Sequence, residues 1–285
     1  MTDDGEQVGD LVTAYLAEQC TVIIDSEAQL RAGENVVHTT RVAVRRLRST
    51  LRVYAELFDV PQAGRLEEEL VWWAGLLGEV RDLDILRTRM DALIDALPPE
   101  VVLGPVRSTV DTEISVRRKA AADAVVETLD SERYRHLVGL VHEWRSYPPF
   151  TEAATAPAAA VKGFAKRAGK KVDKRLTQAL AAGRAGEPAD ELFHRARKAG
   201  KRHRYAVEAA QPVWGARADK IIGQRKKLQD LLGYHQDRIL SAAFLRDLGT
   251  RLGVREGQNG FTYGLLYGRE SAPDPDLFKK LKSYR

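Results

Sequence analysis

A basic pattern that occurs twice constrains the structure of this chain more than any other feature. The first copy reads HTTRVAVRRLR and begins at His38, and the second reads HRARKAGKRHR and begins at His194, 156 positions later. One such cluster would be an ordinary solvated helix face. Two copies with the same spacing, each opened by a histidine, predict an internally duplicated protein that uses the cluster twice.

The spacing fits an α-helix with cations along one side. At 100° per residue, the cations that follow His38 at helical spacing fall within an arc of about 80°: Arg41, Arg45, Arg48 and Arg52. The opposite side of the same helix is apolar and carries Leu47, Leu51, Tyr54 and Phe58. The second copy repeats this cationic strip with His194, Arg197, Lys201 and Arg204, and Glu208 stands where the first copy has Arg52.

Helical periodicity extends over nearly the whole chain, and the alternation typical of strands is nearly absent. The sequence therefore predicts an all-α fold. We expect helices near 7–31, 36–58, 62–79, 82–96, 100–127, 131–146, 155–184, 189–214, 216–233, 236–253 and 260–267. Proline marks several of the breaks, because it cannot donate a backbone hydrogen bond and clashes with the preceding turn.

The duplication predicts a division into two halves. Tyr147-Pro148-Pro149-Phe150 is the clearest interruption near the middle of the chain, so we place the halves at 1–150 and 151–285. Leu-Leu-Gly followed by an aspartate occurs in both, at Gly78 with Asp82 and at Gly233 with Asp237. Each half is predicted to be a bundle of four to five helices, in which this glycine either ends a helix or permits close helix packing.

Composition places limits on the class of protein. A hydrophobic fraction of 44% favours a folded core, and a formal charge of +5 makes the arrangement of charge more informative than its sum. The single cysteine, Cys20, excludes an internal disulfide and fits a reducing compartment. We see neither a signal peptide at the acidic N-terminus nor a run of about 18 apolar residues. A soluble cytoplasmic protein is expected.

The cationic strips call for a negatively charged partner. Like charges at i, i+4 cost a few tenths of a kcal/mol per pair, and each strip carries that cost several times. Arginine presents a planar fork suited to phosphate, and lysine adds a point charge. A strip about 20 Å long suits a linear polyanion better than one small phosphate. Two facing strips would form a basic channel or groove that concentrates anions.

Nearby acids offer an alternative, in which the strips are surface faces balanced by carboxylates such as Glu79, Asp82, Asp84 and Asp237. Asp82 and Asp237 occupy equivalent positions in the two halves. Each of them either orients an arginine of its strip or serves as a helix cap or surface acid.

A third basic segment follows the boundary between the halves. Lysines recur there at i, i+4 spacing as Lys162, Lys166, Lys170 and Lys174, with Arg167, Lys171 and Arg175 beside them. The opposite face carries Phe164, Ala168, Val172 and Leu176. This pattern predicts another amphipathic helix that presents cations.

Several function classes stay open on residues alone. His38 or His194 could take up a phosphoryl group in an enzyme acting on polyphosphate or nucleotides, but we identify no catalytic residue, metal ligand or cofactor, because no phosphate loop or metal-ligand spacing occurs. A nucleic-acid-binding protein would need aromatic side chains among the cations, and only Tyr54 and Tyr205 lie nearby. A scaffold that docks an acidic protein is a further alternative.

The motifs resemble those of the CHAD domain, the conserved histidine α-helical domain. HTTRVAVRRLRSTLRVY followed by LLGEVRDLDIL is similar to its first half, and FHRARKAGKRHRYAVE followed by LQDLLGYHQD is similar to its second half. The resemblance covers about residues 8–268. Some members carry a fused triphosphatase domain with an ExExK strand motif, and this chain shows no such motif. It resembles a stand-alone CHAD protein.

The resemblance implies two four-helix bundles related by pseudo-twofold symmetry, with a basic central cavity. It also implies non-catalytic binding of inorganic polyphosphate and association with polyphosphate granules. The residues expected to contact polyphosphate are His38, Arg41, Arg45, Arg46, Arg48, Arg52, Lys162, Lys166, Lys170, His194, Arg197, Lys198, Lys201, Arg202 and Arg204. Polyphosphate is the expected partner, nucleic acid stays open as an alternative, and no membrane partner is expected.

Overall fold

The computed structural model describes residues 5–253, 259–274 and 276–284, so the first four residues of the acidic N-terminus lie outside it. The described part confirms the all-α prediction. Its helices are α1 Val8–Arg31, α2 Val37–Val53, α3 Val60–Asp95, α4 Val106–Thr128, α5 Glu132–Ser146, α6 Val161–Arg184, α7 Asp190–Ala209, α8 Gln211–Trp214, α9 Ala216–Gly253, α10 Phe261–Ser271 and α11 Leu277–Lys282. None of these helices combines the length and the hydropathy that a membrane span requires.

Two predicted helix breaks are wrong. The chain runs without interruption through Gly78 in α3 and through Gly233 in α9, where we expected breaks at 79–82 and 233–236. A glycine inside a helix costs only about 1 kcal/mol, and no proline follows either glycine to enforce a break. The two Leu-Leu-Gly motifs therefore lie within the two longest helices of the described chain, not at helix ends.

Two predicted helices end earlier than expected. α2 stops at Val53 and is followed by a 3₁₀ turn at Ala55–Leu57. The side chain of Asp59 then accepts a hydrogen bond of 3.1 Å from the backbone N–H of Gln62 and caps the start of α3. α7 stops at Ala209, and the short α8 is separated from α9 by Gly215, whose φ of 54° interrupts the helix.

Three apolar clusters hold the helices together. The first contains Trp73 and Tyr54 and joins α1, α2, α3 and α5 to the beginning of α6 and the end of α7. The second lies between α6, α7, α9 and α11. The third joins the far ends of α3 and α9 to α4 and α10. Because the first and third clusters take side chains from both sides of residue 150, the two halves of the duplication share cores.

α2 and α7 pack directly against each other, and this contact positions the cationic strips. The hydroxyl of Tyr54 in α2 donates a 2.8 Å hydrogen bond to the carbonyl of Ala206 in α7. The Tyr54 ring also packs on Phe164 of α6, with ring centroids 5.2 Å apart. Apolar contact on one side of each helix leaves the two strips side by side on the other.

A buried ion pair ties the far end of α3 to α9 and α10. The guanidinium of Arg89 in α3 donates to Glu270 in α10 through two nitrogens, one of them Nη2 at 2.9 Å from Oε1. The hydroxyl of Ser241 in α9 donates to the same carboxylate. Both charged side chains are buried, so neither can be lost without leaving the other uncompensated.

Replacement of Glu270 by alanine is expected to lower the free energy of unfolding by about 3–5 kcal/mol, because it leaves the Arg89 charge buried and unpaired. Urea denaturation followed by circular dichroism would measure the loss. Asp123→Ala is the matched control, since it removes the exposed partner of Lys119 in α4 and should cost less than about 1 kcal/mol. Equal losses in the two variants would contradict a structural role for the buried pair.

Candidate anion-binding site

The two cationic strips line one groove, which we call the central groove. Its volume is about 540 Å³, and α2 and α7 form its cationic walls while Val71, Ala74 and Gly75 of α3 form an uncharged side. Eight cations and no carboxylate line it: Arg41, Arg45, Arg48, Arg52, Arg197, Lys198, Lys201 and Arg202. Potentials of one sign add in such a groove, so it concentrates anions.

Neighbouring acids balance only part of this charge. Asp82 lies 3.2 Å from Nη1 of Arg41, and Glu67 pairs with Arg52. Asp82 is thus a carboxylate that pairs with a strip arginine, whereas burial raises the pKa of its counterpart Asp237. Within the described residues, the other lining cations have no carboxylate within 4.0 Å: Arg45, Arg48, Arg197, Lys198, Lys201 and Arg202.

The glycine of each Leu-Leu-Gly motif faces the side chain of one strip arginine at close range. A Cβ at Gly78 would lie 3.3 Å from Nη2 of Arg41, and a Cβ at Gly233 would lie 3.5 Å from Nη2 of Arg197. Neither glycine ends its helix. Each instead permits close packing, and the group that packs on it is an arginine side chain. The guanidinium lies against the backbone of α3 or α9, which brings Arg41 and Arg197 to equivalent positions in the two halves.

The position of Lys201 in the groove strongly lowers the pKa of this lysine. Burial, followed by the charges of Arg197, Arg45, Arg41 and Arg204, lowers its pKa from an ordinary value of 10.5 to about 6. Most Lys201 side chains are therefore neutral at pH 7. Burial also lowers the pKa of Arg48 and of Arg197, although arginine keeps its proton at any physiological pH.

Tyr205 of α7 orients a strip arginine from beneath the groove, a role that the sequence did not suggest. Its side chain is fully buried, and its hydroxyl accepts a 3.1 Å hydrogen bond from Nε of Arg45. The guanidinium carbons of Arg46 and Arg204 lie 5.7 and 4.7 Å from its ring centroid, within cation–π range. Tyr205 therefore fixes three arginines at once.

Arg46 and Arg204 do not line the central groove. Arg46 follows Arg45 directly, so its side chain points about 100° away around the helix. There Nε of Arg46 lies 3.0 Å from Glu208, which also pairs with Nε of Arg204 at 3.4 Å and accepts a hydrogen bond from Tyr15. The resemblance assigned both arginines to polyphosphate, and the structure shows that they share one carboxylate, Glu208.

The lysines selected from α6 also lie away from the central groove. Lys166 and Lys170 are exposed, and none of Lys162, Lys166 and Lys170 lines the central groove. At 100° per residue these three lysines lie together on one flank of α6. The cations on the other flank border α2 and α7: Arg167, Lys171, Lys174 and Arg175.

These four cations line a second space, which we call the α6 groove. Its volume is about 820 Å³, and it adjoins the central groove, with which it shares Arg52, Lys198 and Arg202. A helical wheel of α6 separates these four from Lys162, Lys166 and Lys170, but it does not show which flank faces α2 and α7.

The two histidines differ in their surroundings. His38 is exposed at the end of its strip, outside the lining of the central groove, whereas His194 lines the groove with Nδ1 3.2 Å from Oε1 of Gln236. Desolvation, followed by neighbouring cations, lowers the pKa of both imidazoles. Each is therefore a neutral donor at physiological pH. Within the described residues, no group of three or more His, Cys, Asp or Glu could hold a metal ion.

The low pKa of Lys201 makes this lysine a source of instability in the ligand-free protein. The unfolded chain binds the proton more tightly than the folded chain, so the penalty is largest below about pH 6 and shrinks as pH rises towards 10.5. Lys201→Met is therefore expected to raise the melting temperature, and by more at pH 6 than at pH 9. Calorimetry across this range would measure the difference.

Lys198→Met provides the control for this prediction, because Lys198 is an exposed lysine one turn earlier on the same helix. Its replacement should change the free energy of unfolding by no more than about 0.5 kcal/mol. A Lys201→Met variant no more stable than wild type at pH 6 would show that Lys201 keeps an ordinary pKa in the folded protein.

Comparisons with known proteins agree with this architecture. The chain is 31% identical over 268 residues to the uncharacterized protein MT2285 of Mycobacterium tuberculosis strain CDC 1551, and equally to Rv2226 of another strain, covering 92% of this chain. It spans about half the length (50%) of these curated relatives.

Solved structures share the fold. PptA from Streptomyces chartreusis superposes with a TM-score of 0.76 at 21% identity, covering 98% of both chains. The CHAD domain from the plant Ricinus communis superposes with a TM-score of 0.71 at 23% identity, covering 99% of this chain and 92% of that one. The CHAD domain family profile matches residues 14–246. This chain belongs to the CHAD domain family.

Proposed function

We propose that this chain binds inorganic polyphosphate in the central groove without catalysing its turnover, and that this binding directs it to polyphosphate granules. The observation that carries the proposal is the uncompensated charge: eight basic side chains line the groove, all but Lys201 are charged at pH 7, and only Arg41 and Arg52 have a carboxylate within 4.0 Å among the described residues. Such a groove is costly to keep empty, and a polyanion offsets that cost.

The shape of the charge favours a linear ligand. From Arg41 to Arg52 the strip in α2 runs about 16 Å by helix rise, and the strip in α7 lies beside it. A single phosphate would occupy a small part of this length. A chain of phosphates meets successive cations from both helices, and guanidinium groups bind its oxygens as bidentate donors.

The absence of aromatic lining argues against nucleic acid. Proteins that bind single strands stack bases on aromatic side chains. Tyr54 and Tyr205, the two candidates from the sequence, are fully buried beneath the strips, and no Phe, Tyr or Trp is among the described residues that line the central groove. Polyphosphate has no base to stack, so this groove suits it better than it suits DNA or RNA.

Charge reversal at the centre of the two strips tests the site. Arg45→Glu combined with Lys201→Glu should weaken binding of long-chain polyphosphate about 100-fold or more, because two charge-assisted contacts are replaced by repulsion. Titration calorimetry would measure the affinity, and circular dichroism would check helicity. Lys162→Glu with Lys166→Glu is the matched control, with the same change in net charge on the far side of α6.

Equal losses of affinity in the central-groove variant and the control would show that net charge alone explains the effect and that the site lies elsewhere. The wild-type titration is repeated at two salt concentrations with DNA of equal charge as competitor. We expect affinity to fall steeply with salt, because bound cations displace counterions, and DNA to displace little polyphosphate. Complete displacement by DNA would favour the nucleic-acid alternative.

The catalytic alternative depends on the histidines. Wild-type protein incubated with long-chain polyphosphate and Mg²⁺ should release no phosphate, and His38→Ala with His194→Ala should bind within about tenfold of wild type, because two neutral donors are lost. Chain length on gels and released phosphate are the measurements. Phosphate release by wild type that disappears in the double variant would favour an enzyme in which a histidine takes up the phosphoryl group.

A further inference from the structure

Two lateral grooves flank the pair of helices α2 and α7, at positions that the sequence repeat relates to each other. The α6 groove lies between α2, α6 and α7. A second space of about 460 Å³, which we call the α1 groove, lies between α1, α2 and the end of α7. The two are lined by positions 156 residues apart, the same offset that separates the basic patterns: Tyr15 and Lys171, Glu18 and Lys174, Gln19 and Arg175, Arg46 and Arg202, and Glu208 and Arg52.

The side chains at these paired positions have opposite chemistry. The α6 groove carries a cation at every one of the five, whereas the α1 groove keeps only Arg46 and replaces the rest by two carboxylates, an amide and a phenol. The α6 groove is thus cationic at these positions, and the α1 groove is not.

Internal contacts neutralise the one cation that the α1 groove retains. Nε of Arg46 donates to Oε2 of Glu208 at 3.0 Å, and the Tyr15 hydroxyl donates to the same oxygen at 3.0 Å. Glu208 is largely buried, and burial raises the pKa of Tyr15, so this phenol stays protonated. The two carboxylates of the lining, Glu18 and Glu208, outnumber its one cation, so the α1 groove presents no net positive charge to an incoming anion.

The α6 groove is less completely balanced. Its two acids pair with cations at its rim, Glu56 with Arg167 at 3.1 Å and Glu191 with Arg195 at 3.0 Å. Three further cations on α6 have no carboxylate within 4.0 Å among the described residues: Lys171, Lys174 and Arg175. Like the central groove beside it, the α6 groove therefore carries cations that no nearby carboxylate balances.

We infer that a long polyphosphate chain leaves the central groove on one side only, over α6, where Lys171, Lys174 and Arg175 bind its continuation. This inference rests on the proposed function. The α6 groove is continuous with the central groove through Arg52, Lys198 and Arg202, and from Arg167 to Arg175 it adds about 12 Å of cationic surface. The α1 groove offers no such path, so the bound chain takes an asymmetric course across a duplicated protein.

Charge reversal in the α6 groove tests the inference. Lys171→Glu with Arg175→Glu should weaken binding of long-chain polyphosphate about tenfold or more. It should also reduce the slope of log affinity against log salt by about 1.4, since each neutralised phosphate contributes about 0.7 for a single-stranded polyanion. Lys162→Glu with Lys166→Glu makes the same charge change on the same helix, and should alter neither quantity by a comparable amount.

The outcomes separate this inference from the proposed function. If the Arg45→Glu, Lys201→Glu variant loses affinity while the α6-groove variant keeps wild-type affinity and salt slope, the central site stands and the path over α6 is wrong. If the α6-groove variant and its same-helix control lose equally, net charge explains the effect and the inference is also wrong. If no variant changes binding, both the inference and the proposed function fail.

Discussion

Mutual repulsion among the cations between α2 and α7 is the interaction on which the arrangement of this protein depends. The two helices can lie together only because apolar side chains bind them on one side and a few polar partners restrain the cations on the other. Tyr205 contributes to the apolar contact and to the restraint of the cations. Its buried ring packs in the interface, and its hydroxyl accepts a hydrogen bond from Arg45. The guanidinium groups of Arg46 and Arg204 lie over its ring. One residue thus couples the core to the orientation of the groove.

The long helices α3 and α9 complete this support. Each carries a glycine that faces the guanidinium of one strip arginine, and a Cβ there would lie 3.3 Å from Arg41 at Gly78 and 3.5 Å from Arg197 at Gly233. A break at either glycine would remove the flat helical surface that the arginine contacts. Helix continuity, which the sequence argued against, is therefore part of how Arg41 and Arg197 are held at equivalent places, and the modest cost of a helical glycine is offset by that contact.

Periodicity predicted the helical class and the two faces of α2 and α7, because a strip of cations opposite an apolar strip leaves one way to pack such a helix. It did not predict which neighbouring cations share a groove. Arg46 looked equivalent to Arg45 as part of a motif, although 100° of rotation sends it to Glu208. Lys162, Lys166 and Lys170 looked equivalent to Lys171, although they lie on the other flank of α6. These distinctions need the packing partner, which no single-helix pattern contains.

Lys201 is neutral in the empty groove, so its protonation depends on the charge density of the anion that binds there. With a pKa of about 6, this lysine becomes a cation at neutral pH only if the ligand supplies enough negative potential to restore its proton. A lone phosphate contacts a few of the eight cations and leaves the others to repel that proton. A phosphate chain along both strips would compensate Arg41, Arg45 and Arg197 together, and so would offset the repulsion that adds to burial in lowering the pKa of Lys201. The repulsion that destabilises the empty groove thereby favours a ligand that spans it.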